Sequence, residues 1–162
     1  MRKKLFITII SFLFLLISCN KDKTIENNTV NNIISDTVNT NGDDYMKKEL
    51  GLMIDGIDIS VSWIDNESVK ELKELAKNEL VINMNMYNDF EQYGSIGKRI
   101  TSKDVSLTTN PGDIVLYTSN QIVLFYGSNT WSYTKLGHMN LNLDELYQIL
   151  GKKDVVIKIY LK

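Results

Sequence analysis

The sequence predicts a mainly β domain, a closed antiparallel β-barrel with two capping helices. Residues 112–139 hold more aromatic and β-branched residues per position than any other stretch after the N-terminal segment. Several short alternating strands and two amphipathic helices also follow one another between residues 48 and 162. Because two helices cannot cover so many strands on both faces, closure is the arrangement that removes exposed strand edges.

The first 18 residues are typical of a secretory signal peptide. Residues 2–4 are basic, and residues 5–17 form an apolar run that is short for a membrane span. The run ends in the sequence LISC at 16–19, which resembles a bacterial lipobox. The resemblance implies that Cys19 is acylated, for example with palmitate, and becomes the first residue of the mature protein. The alternatives are an ordinary cleaved signal and an uncleaved anchor with an incidental cysteine.

Residues 19–47 are expected to form a flexible polar tether. They are rich in Asn, Asp, Thr and Lys and show no sustained periodicity. A chain of this length has a root-mean-square reach of roughly 25 to 30 Å. The pair Ile33-Ile34 could instead mark a short docking strand. The expected location is the bacterial cell envelope, with the domain outside the cytoplasm and tethered to a lipid bilayer through Cys19.

Charge and residue content exclude several classes of function. The net charge is −2, and loss of residues 2–4 would take it to −5, which does not favour nucleic-acid binding. With Cys19 as the only cysteine and His138 as the only histidine, neither a disulfide framework nor a Cys- or His-based metal cluster is expected. No cofactor is expected either. No spacing fixes a catalytic pair among the candidate carboxylates, which are Asp89, Glu91, Asp104 and Asp113.

The predicted domain begins with a β-hairpin and a helix. Apolar residues alternate at 50–54 and 57–63, on either side of Asp55-Gly56, a dipeptide that favours a two-residue turn. The Asp-Asn pair at 65–66 then offers caps for a helix whose apolar stripe lies within 69–76.

The middle of the chain predicts a strand followed by a long loop. Residues 81–87 alternate between apolar and polar side chains, whereas residues 88–110 have little regular pattern. Long loops in compact domains are often functional. The sequence GSIGK at 94–98 lacks the spacing and the Ser or Thr of a phosphate-binding loop. We therefore expect no nucleotide site in this loop.

The last part of the domain predicts three strands, a helix and a final strand. Within 112–139, two strands are joined by a tight turn at Ser119-Asn120, and a third follows residues 127–129. An asparagine at 140 or 142 caps a helix that ends at Gly151. Residues 155–161 then alternate again and close the domain.

Residues 48–162 resemble the small bacterial cyclophilin-like family. The stretches that carry the resemblance are Phe90, YGSIG at 93–97, GDIVLY at 112–117, IVLFY at 122–126 and WSYTKLG at 131–137. Cyclophilins catalyse peptidyl-prolyl isomerisation with an arginine, a glutamine, aromatic residues and a histidine on one face of the barrel. This chain departs from that set, because 81–87 has asparagines and methionines in place of the glutamine-glycine stretch, and Tyr133 stands near the position of the histidine.

The resemblance implies two functional hypotheses. The first is a lipid-anchored envelope protein whose domain binds a peptide or small ligand without established catalysis, and the alternative is a peptidyl-prolyl isomerase of the envelope. A purely structural role would instead show as a broad exposed apolar patch. Convergence of Arg99, Phe125 and Trp131 on one open groove would favour the isomerase, whereas their dispersal would favour binding alone.

Six residues are the candidates for ligand binding, and one of them is also the candidate catalytic group. They are Phe90, Tyr93, Arg99, Phe125, Trp131 and His138. Arg99, the only arginine of the domain, is the candidate donor to a prolyl amide or else a solvated loop residue. The alternatives for the others are core packing for Phe125 and Trp131 and a satisfied strand-end histidine for His138.

Overall fold

The structure is a computed structural model that describes residues 44–162. These residues belong to one unit of the chain, 38–162. The expected signal peptide, Cys19 and residues 19–43 of the expected tether lie outside the described residues.

The domain is mainly β, as predicted. Its elements follow in the order α1 (Asp44–Lys47), β1 (Leu50–Ile54), β2 (Ile57–Ile59), β3 (Val61–Trp63), α2 (Glu67–Leu75), a 3₁₀ turn (Ala76–Asn78), β4 (Leu80–Asn83), β5 (Asn85–Tyr87), β6 (Glu91–Ser95), β7 (Val105–Thr108), β8 (Asp113–Tyr117), β9 (Gln121–Phe125), β10 (Thr130–Met139), α3 (Leu143–Leu150) and β11 (Val156–Leu161). None of the helices within residues 44–162 has the length and apolar character needed to span a membrane.

The strands form two antiparallel sheets. The four-stranded sheet has the order β2-β1-β11-β4. The seven-stranded sheet has the order β3-β10-β8-β9-β6-β5, and β7 pairs with the first half of β10. The second half of β10 pairs with β8 and β3, so this long strand holds three others in register.

The prediction of a closed barrel is wrong, because neither sheet closes within the described residues. The chain instead passes between the sheets at two corners. It runs from β2 to β3 through Ser60 and from β4 to β5 through Met84, whose amide donates to the Val155 carbonyl at 2.8 Å. Each corner gives one short strand to each sheet, so the sheets share a core without sharing a closed hydrogen-bond ladder. Residues 81–87, predicted as one strand, are divided at Met84 for the same reason.

The main hydrophobic core receives side chains from both sheets and both longer helices. Strands β1 and β11 contribute from the four-stranded sheet, and β8 and β9 contribute from the other. The fully buried side chains include Leu52, Ile54, Ile157, Ile159, Ile114, Leu116, Ile122, Leu124, Leu72, Leu146 and Leu150. Burial of these side chains is the main stabilising term of the fold.

The two predicted helices and their caps are confirmed. Asn66 caps α2, accepting from the Val69 amide at 2.9 Å, and its own amide group donates to the Lys135 carbonyl of β10 at 2.9 Å. Asn142 caps α3 in a reciprocal capping box with Glu145. The cap of α2 therefore also fixes the helix to the sheet.

Both predicted hairpin turns are present, and the second is displaced by one residue. Asp55 and Gly56 both have positive φ, at 46° and 84°, as a two-residue turn of the predicted kind requires. Between β8 and β9 the positive φ values fall on Thr118 and Ser119, at 49° and 63°. The predicted turn at Ser119-Asn120 is therefore one residue late.

The long loop predicted over 88–110 contains two strands, β6 and β7. Strand β6 carries no apolar alternation, because Gln92 and Gly94 are its inward-facing residues. The Gln92 side-chain amide donates to the carbonyls of Leu150 and Lys153, both at 2.7 Å, so a polar side chain fills a core position. A Cβ atom on Gly94 would lie 2.5 Å from Ile82 and 2.7 Å from Met84, so glycine allows β6 to approach the corner of β4 and β5 closely.

The burial of Val115 on the second face of the seven-stranded sheet can be tested by comparing two Val→Ala substitutions, one at this buried position and one at an exposed position. Val115 is 0% exposed and Val81 is 60% exposed, and both lie in strands. Val115→Ala is expected to lower the free energy of unfolding by about 2 kcal/mol, since it removes buried methyl groups and leaves a cavity. Val81→Ala is expected to lower it by less than about 1 kcal/mol. Urea denaturation measures both, and equal losses would contradict the described burial.

Candidate functional site

The central strands of the seven-stranded sheet bury apolar side chains on both faces. Ile114 and Leu116 of β8 face the main core, whereas Val115 between them faces the other side. There Val115 joins a second cluster with Val123, Phe125 and Tyr133. This second cluster is the floor of the candidate site.

An open groove of about 370 Å³ lies over the second cluster. Strands β5, β6, β8, β9 and β10 all contribute to its walls, together with the turn before β10. The lining residues are Tyr87, Glu91, Tyr93, Tyr117, Gln121, Val123, Asn129, Trp131 and Tyr133. Five aromatic side chains and one carboxyl group therefore surround a space of the size that small-molecule sites have.

The tyrosines of the groove form two edge-to-face pairs. The rings of Tyr87 and Tyr93 have centroids 6.4 Å apart and planes at 85°. The rings of Tyr117 and Tyr133 have centroids 5.9 Å apart and planes at 65°. Both geometries lie in the favourable range for aromatic pairs. Trp131 is 58% exposed and lines the same groove.

Glu91 is the one acidic side chain among the described residues that line the groove. In the sheet it lies opposite Tyr87 of β5 and Phe125 of β9. Its Oε2 atom is buried and accepts no hydrogen bond from residues 44–162. Burial among apolar groups disfavours the charged carboxylate and raises the pKa of Glu91 to about 7. The group therefore changes charge close to neutral pH.

The hydroxyl group of Tyr133 is influenced by the same carboxyl group. Burial raises the pKa of Tyr133, and the negative charge of Glu91 raises it further. The Asn129 side-chain amide donates to the Tyr133 hydroxyl at 3.1 Å. Tyr133 thus stays a neutral phenol in the groove at physiological pH.

Two of the six candidate ligand-binding residues, Tyr93 and Trp131, line the groove. Two others lie beneath it, where Phe90 stacks on Phe125 with centroids 6.3 Å apart and planes at 5°. Phe125 is 0% exposed and its ring centroid lies 5.7 Å from that of Tyr133. Phe90 and Phe125 therefore support the groove from below and do not line it.

Arg99 and His138 lie elsewhere. Arg99 is exposed in the loop between β6 and β7 and is not among the lining residues within 44–162. His138 lies seven residues after Trp131 on β10, where its Nδ1 atom is 2.9 Å from the Asp113 carboxylate. Arg99, Phe125 and Trp131 therefore do not converge on one open groove.

Asp113 forms a local charge cluster with His138 and Lys135. Its Oδ1 atom is 2.9 Å from both the His138 Nδ1 and the Lys135 Nζ atoms. Burial acts to raise the pKa of Asp113, but hydrogen bonds from Asn110, His138 and Lys135 outweigh it and lower the pKa. Across residues 44–162, no group of three or more His, Cys, Asp or Glu side chains could hold a metal ion.

A larger open space of about 760 Å³ lies beside α2 and the corner between β2 and β3. Three of its charged lining groups, Asp58, Lys70 and Lys73, already have partners. Lys73 donates to the Met46 carbonyl at 2.8 Å, Lys70 pairs with Glu67 at 2.9 Å, and Tyr160 donates to Asp58. The aromatic groove, with an unpaired buried carboxyl oxygen, is therefore the stronger candidate site.

Several residues of the groove were not among the ligand-binding candidates from the sequence. They are Tyr87, Glu91, Tyr117, Gln121, Val123, Asn129 and Tyr133. Two of these residues, Glu91 and Tyr133, could have been found from their spacing to residues that were candidates. Glu91 lies two positions from Tyr93 and Tyr133 two positions from Trp131, so each pair is on one face of a strand. That signal requires residues 91–95 to be recognised as a strand.

Comparison with known families gives a match that covers most of the domain. The model of the cyclophilin-like family matches residues 52–160, which is more than half of the chain. The match runs from within β1 to within β11 and confirms the predicted family resemblance. No curated protein matches the chain.

From the raised pKa of Glu91 we predict how the free energy of unfolding depends on pH. Between pH 4.5, the ordinary pKa, and about 7, the folded protein keeps a proton that the unfolded chain releases, so stability is lost as the pH rises through this window. Replacing the carboxyl group with an amide in Glu91→Gln removes this loss. Because part of the side chain contacts solvent, we expect the variant to gain about 1–2 kcal/mol over the parent between about pH 5 and about pH 8.

Urea denaturation of both proteins at the two pH values measures this gain. Glu49→Gln, at an exposed glutamate, is the control and should keep the pH dependence of the parent. The same pH dependence in Glu91→Gln and in the parent would show that Glu91 is not desolvated.

Proposed function

The chain belongs to the cyclophilin-like family, and on this basis we propose that its domain is a binding module that takes up a peptide or small ligand in the aromatic groove without catalysing a reaction. The observation that carries the proposal is the groove itself. Its volume of about 370 Å³ and its aromatic walls are typical of small-ligand sites. The stacked rings of Phe90 and Phe125 beneath it provide a rigid floor.

The absence of a suitable donor supports binding without catalysis. A prolyl isomerase stabilises the twisted amide, and a fixed cationic donor aimed at the prolyl nitrogen weakens the amide resonance. Among residues 44–162, no arginine or lysine lines the groove, and Arg99 lies in an exposed loop. The described residues of the groove therefore offer a ligand surface without a cationic donor for isomerisation.

Peptidyl-prolyl isomerisation is the second candidate function, and one observation favours it. Gln121 lines the groove, and its side-chain amide has no hydrogen-bond partner among the described residues. An amide in that position can donate to a bound peptide backbone. If the domain is an isomerase, Gln121 is the donor that the reaction would use.

We further propose that the domain is anchored to a membrane of the bacterial cell envelope through acylated Cys19. The support is the sequence LISC at 16–19, which follows a basic segment and an apolar run of signal-peptide length. Two or more acyl chains on one cysteine would anchor the protein more firmly than a single chain does. The polar residues after Cys19 would then separate the domain from the lipid surface.

NMR exchange spectroscopy on short Xaa-Pro peptides distinguishes the two candidate functions. Uncatalysed cis/trans exchange takes about tens to hundreds of seconds, so a weak isomerase would be visible. We expect no acceleration by the full chain in detergent and no change with Arg99→Ala. Acceleration that survives Arg99→Ala and is lost in Gln121→Ala would contradict the binding proposal and establish an isomerase in this groove.

Membrane anchoring predicts different behaviour for two neighbouring substitutions. Cys19→Ala removes the acylation site, so the variant should remain unprocessed or leave the membrane fraction. Ser18→Ala keeps a small residue before the cysteine and should partition as the parent does. Fractionation of cells followed by labelling with a fatty acid analogue measures both. Equal partition and equal labelling of the parent and Cys19→Ala would exclude the anchor.

A further inference from the structure

We propose that the groove binds a small organic cation that carries an alkylated ammonium group. This inference rests on the proposed function, because it names the class of ligand for the same groove. It is carried by the aromatic walls and by one carboxyl group, that of Glu91, which has no cationic partner in the part of the chain that the structure describes.

The aromatic walls suit a cation with a diffuse charge. Four tyrosines and Trp131 line the groove, and the face of an aromatic ring attracts cations through its quadrupole. In both tyrosine pairs the planes are far from parallel, at 85° and 65°, so neither pair is stacked face to face. The two rings of each pair therefore do not cover each other face to face.

The charge of the groove is complementary to a cation. Glu91 is acidic, and among residues 44–162 its buried Oε2 atom accepts no hydrogen bond and no basic residue lines the groove. The phenols around it come from Tyr87 on β5, Tyr93 on β6, Tyr117 on β8, Tyr133 on β10 and Tyr126 after β9. The negative charge of Asp89, in the turn between β5 and β6, also acts on Tyr126. A bound cation would therefore supply the counter-charge that the domain itself does not provide.

The groove also discriminates between classes of cation. A compact primary ammonium ion is strongly hydrated and has three donors to satisfy, whereas methyl groups reduce this hydration and pack against aromatic rings. A hard metal ion needs about six or more oxygen ligands, and Glu91 is the only carboxylate of the groove among the described residues. An alkylated ammonium group therefore matches both the rings and the single charge.

The affinity should depend on pH in one direction. Glu91 has a pKa of about 7 in the folded protein, so it is mostly protonated at lower pH and ionised at higher pH. Burial raises the pKa values of Tyr126 and Tyr133, so these two phenols keep their neutral form in this range. Binding of the cation should strengthen as the pH rises through about 7, and this dependence should vanish without the carboxyl group.

The test uses choline and its neutral isostere, the alcohol in which a tert-butyl group replaces the trimethylammonium group. Both are titrated by calorimetry into the full chain, held in a maltoside detergent that carries no ammonium group. At about pH 8 choline should bind at least about tenfold more tightly than the isostere. Glu91→Gln should weaken choline binding by at least about fivefold and abolish its pH dependence, whereas Glu49→Gln should change neither.

Trp131→Ala provides a second variant, because this exposed side chain is not needed for the core. It should weaken choline binding and leave thermal unfolding unchanged.

Equal affinity for choline and the isostere, or equal affinity of the parent and Glu91→Gln, would overturn the cation inference while the groove remained a binding site. No heat and no chemical shift change with choline, the isostere or Xaa-Pro peptides would overturn both the inference and the proposed function.

Discussion

The fold and the candidate site both depend on the burial of β8 and β9 on two faces. One face of this hairpin places Ile114 and Leu116 in the main core, and the other places Val123 and Phe125 under the groove. Successive side chains of a strand point to opposite faces of the sheet. The residues of β8 and β9 that pack in the main core therefore determine which residues of the same strands form the groove floor. The aromatic walls are thus held by the same hydrogen-bond ladder that stabilises the domain.

The sequence predicts the elements whose pattern is local. The Asp55-Gly56 hairpin, the two capped helices and the central hairpin are all visible from periodicity and turn residues. The prediction that the barrel closes was wrong because the corners at Ser60 and Met84 depend on which strand pairs with which. Strand β6 was missed because its inward positions hold Gln92 and Gly94, whose roles depend on distant partners.

The candidate site was predicted only in part, for a related reason. Tyr93 was named from the sequence as an aromatic residue of the loop predicted over 88–110 and Trp131 as one that follows a turn, and both line the groove. Glu91 could not be selected from the other carboxylates, because its desolvation arises where β5, β6 and β9 meet. Glu91, together with the lack of a basic lining residue within 44–162, supports the proposed cationic ligand over a prolyl amide.

The central claim is that Glu91 is a desolvated, unpaired acid in an aromatic groove. A carbon-13 NMR titration that observes the side-chain carboxyl carbon of Glu91 tests it directly. The account predicts a midpoint of about 7, in place of the ordinary value of 4.5, and a lower midpoint when choline is bound. A midpoint near 4.5 in the free protein would show that the carboxyl group is solvated, and it would contradict both the charge of the groove and the class of ligand inferred from it.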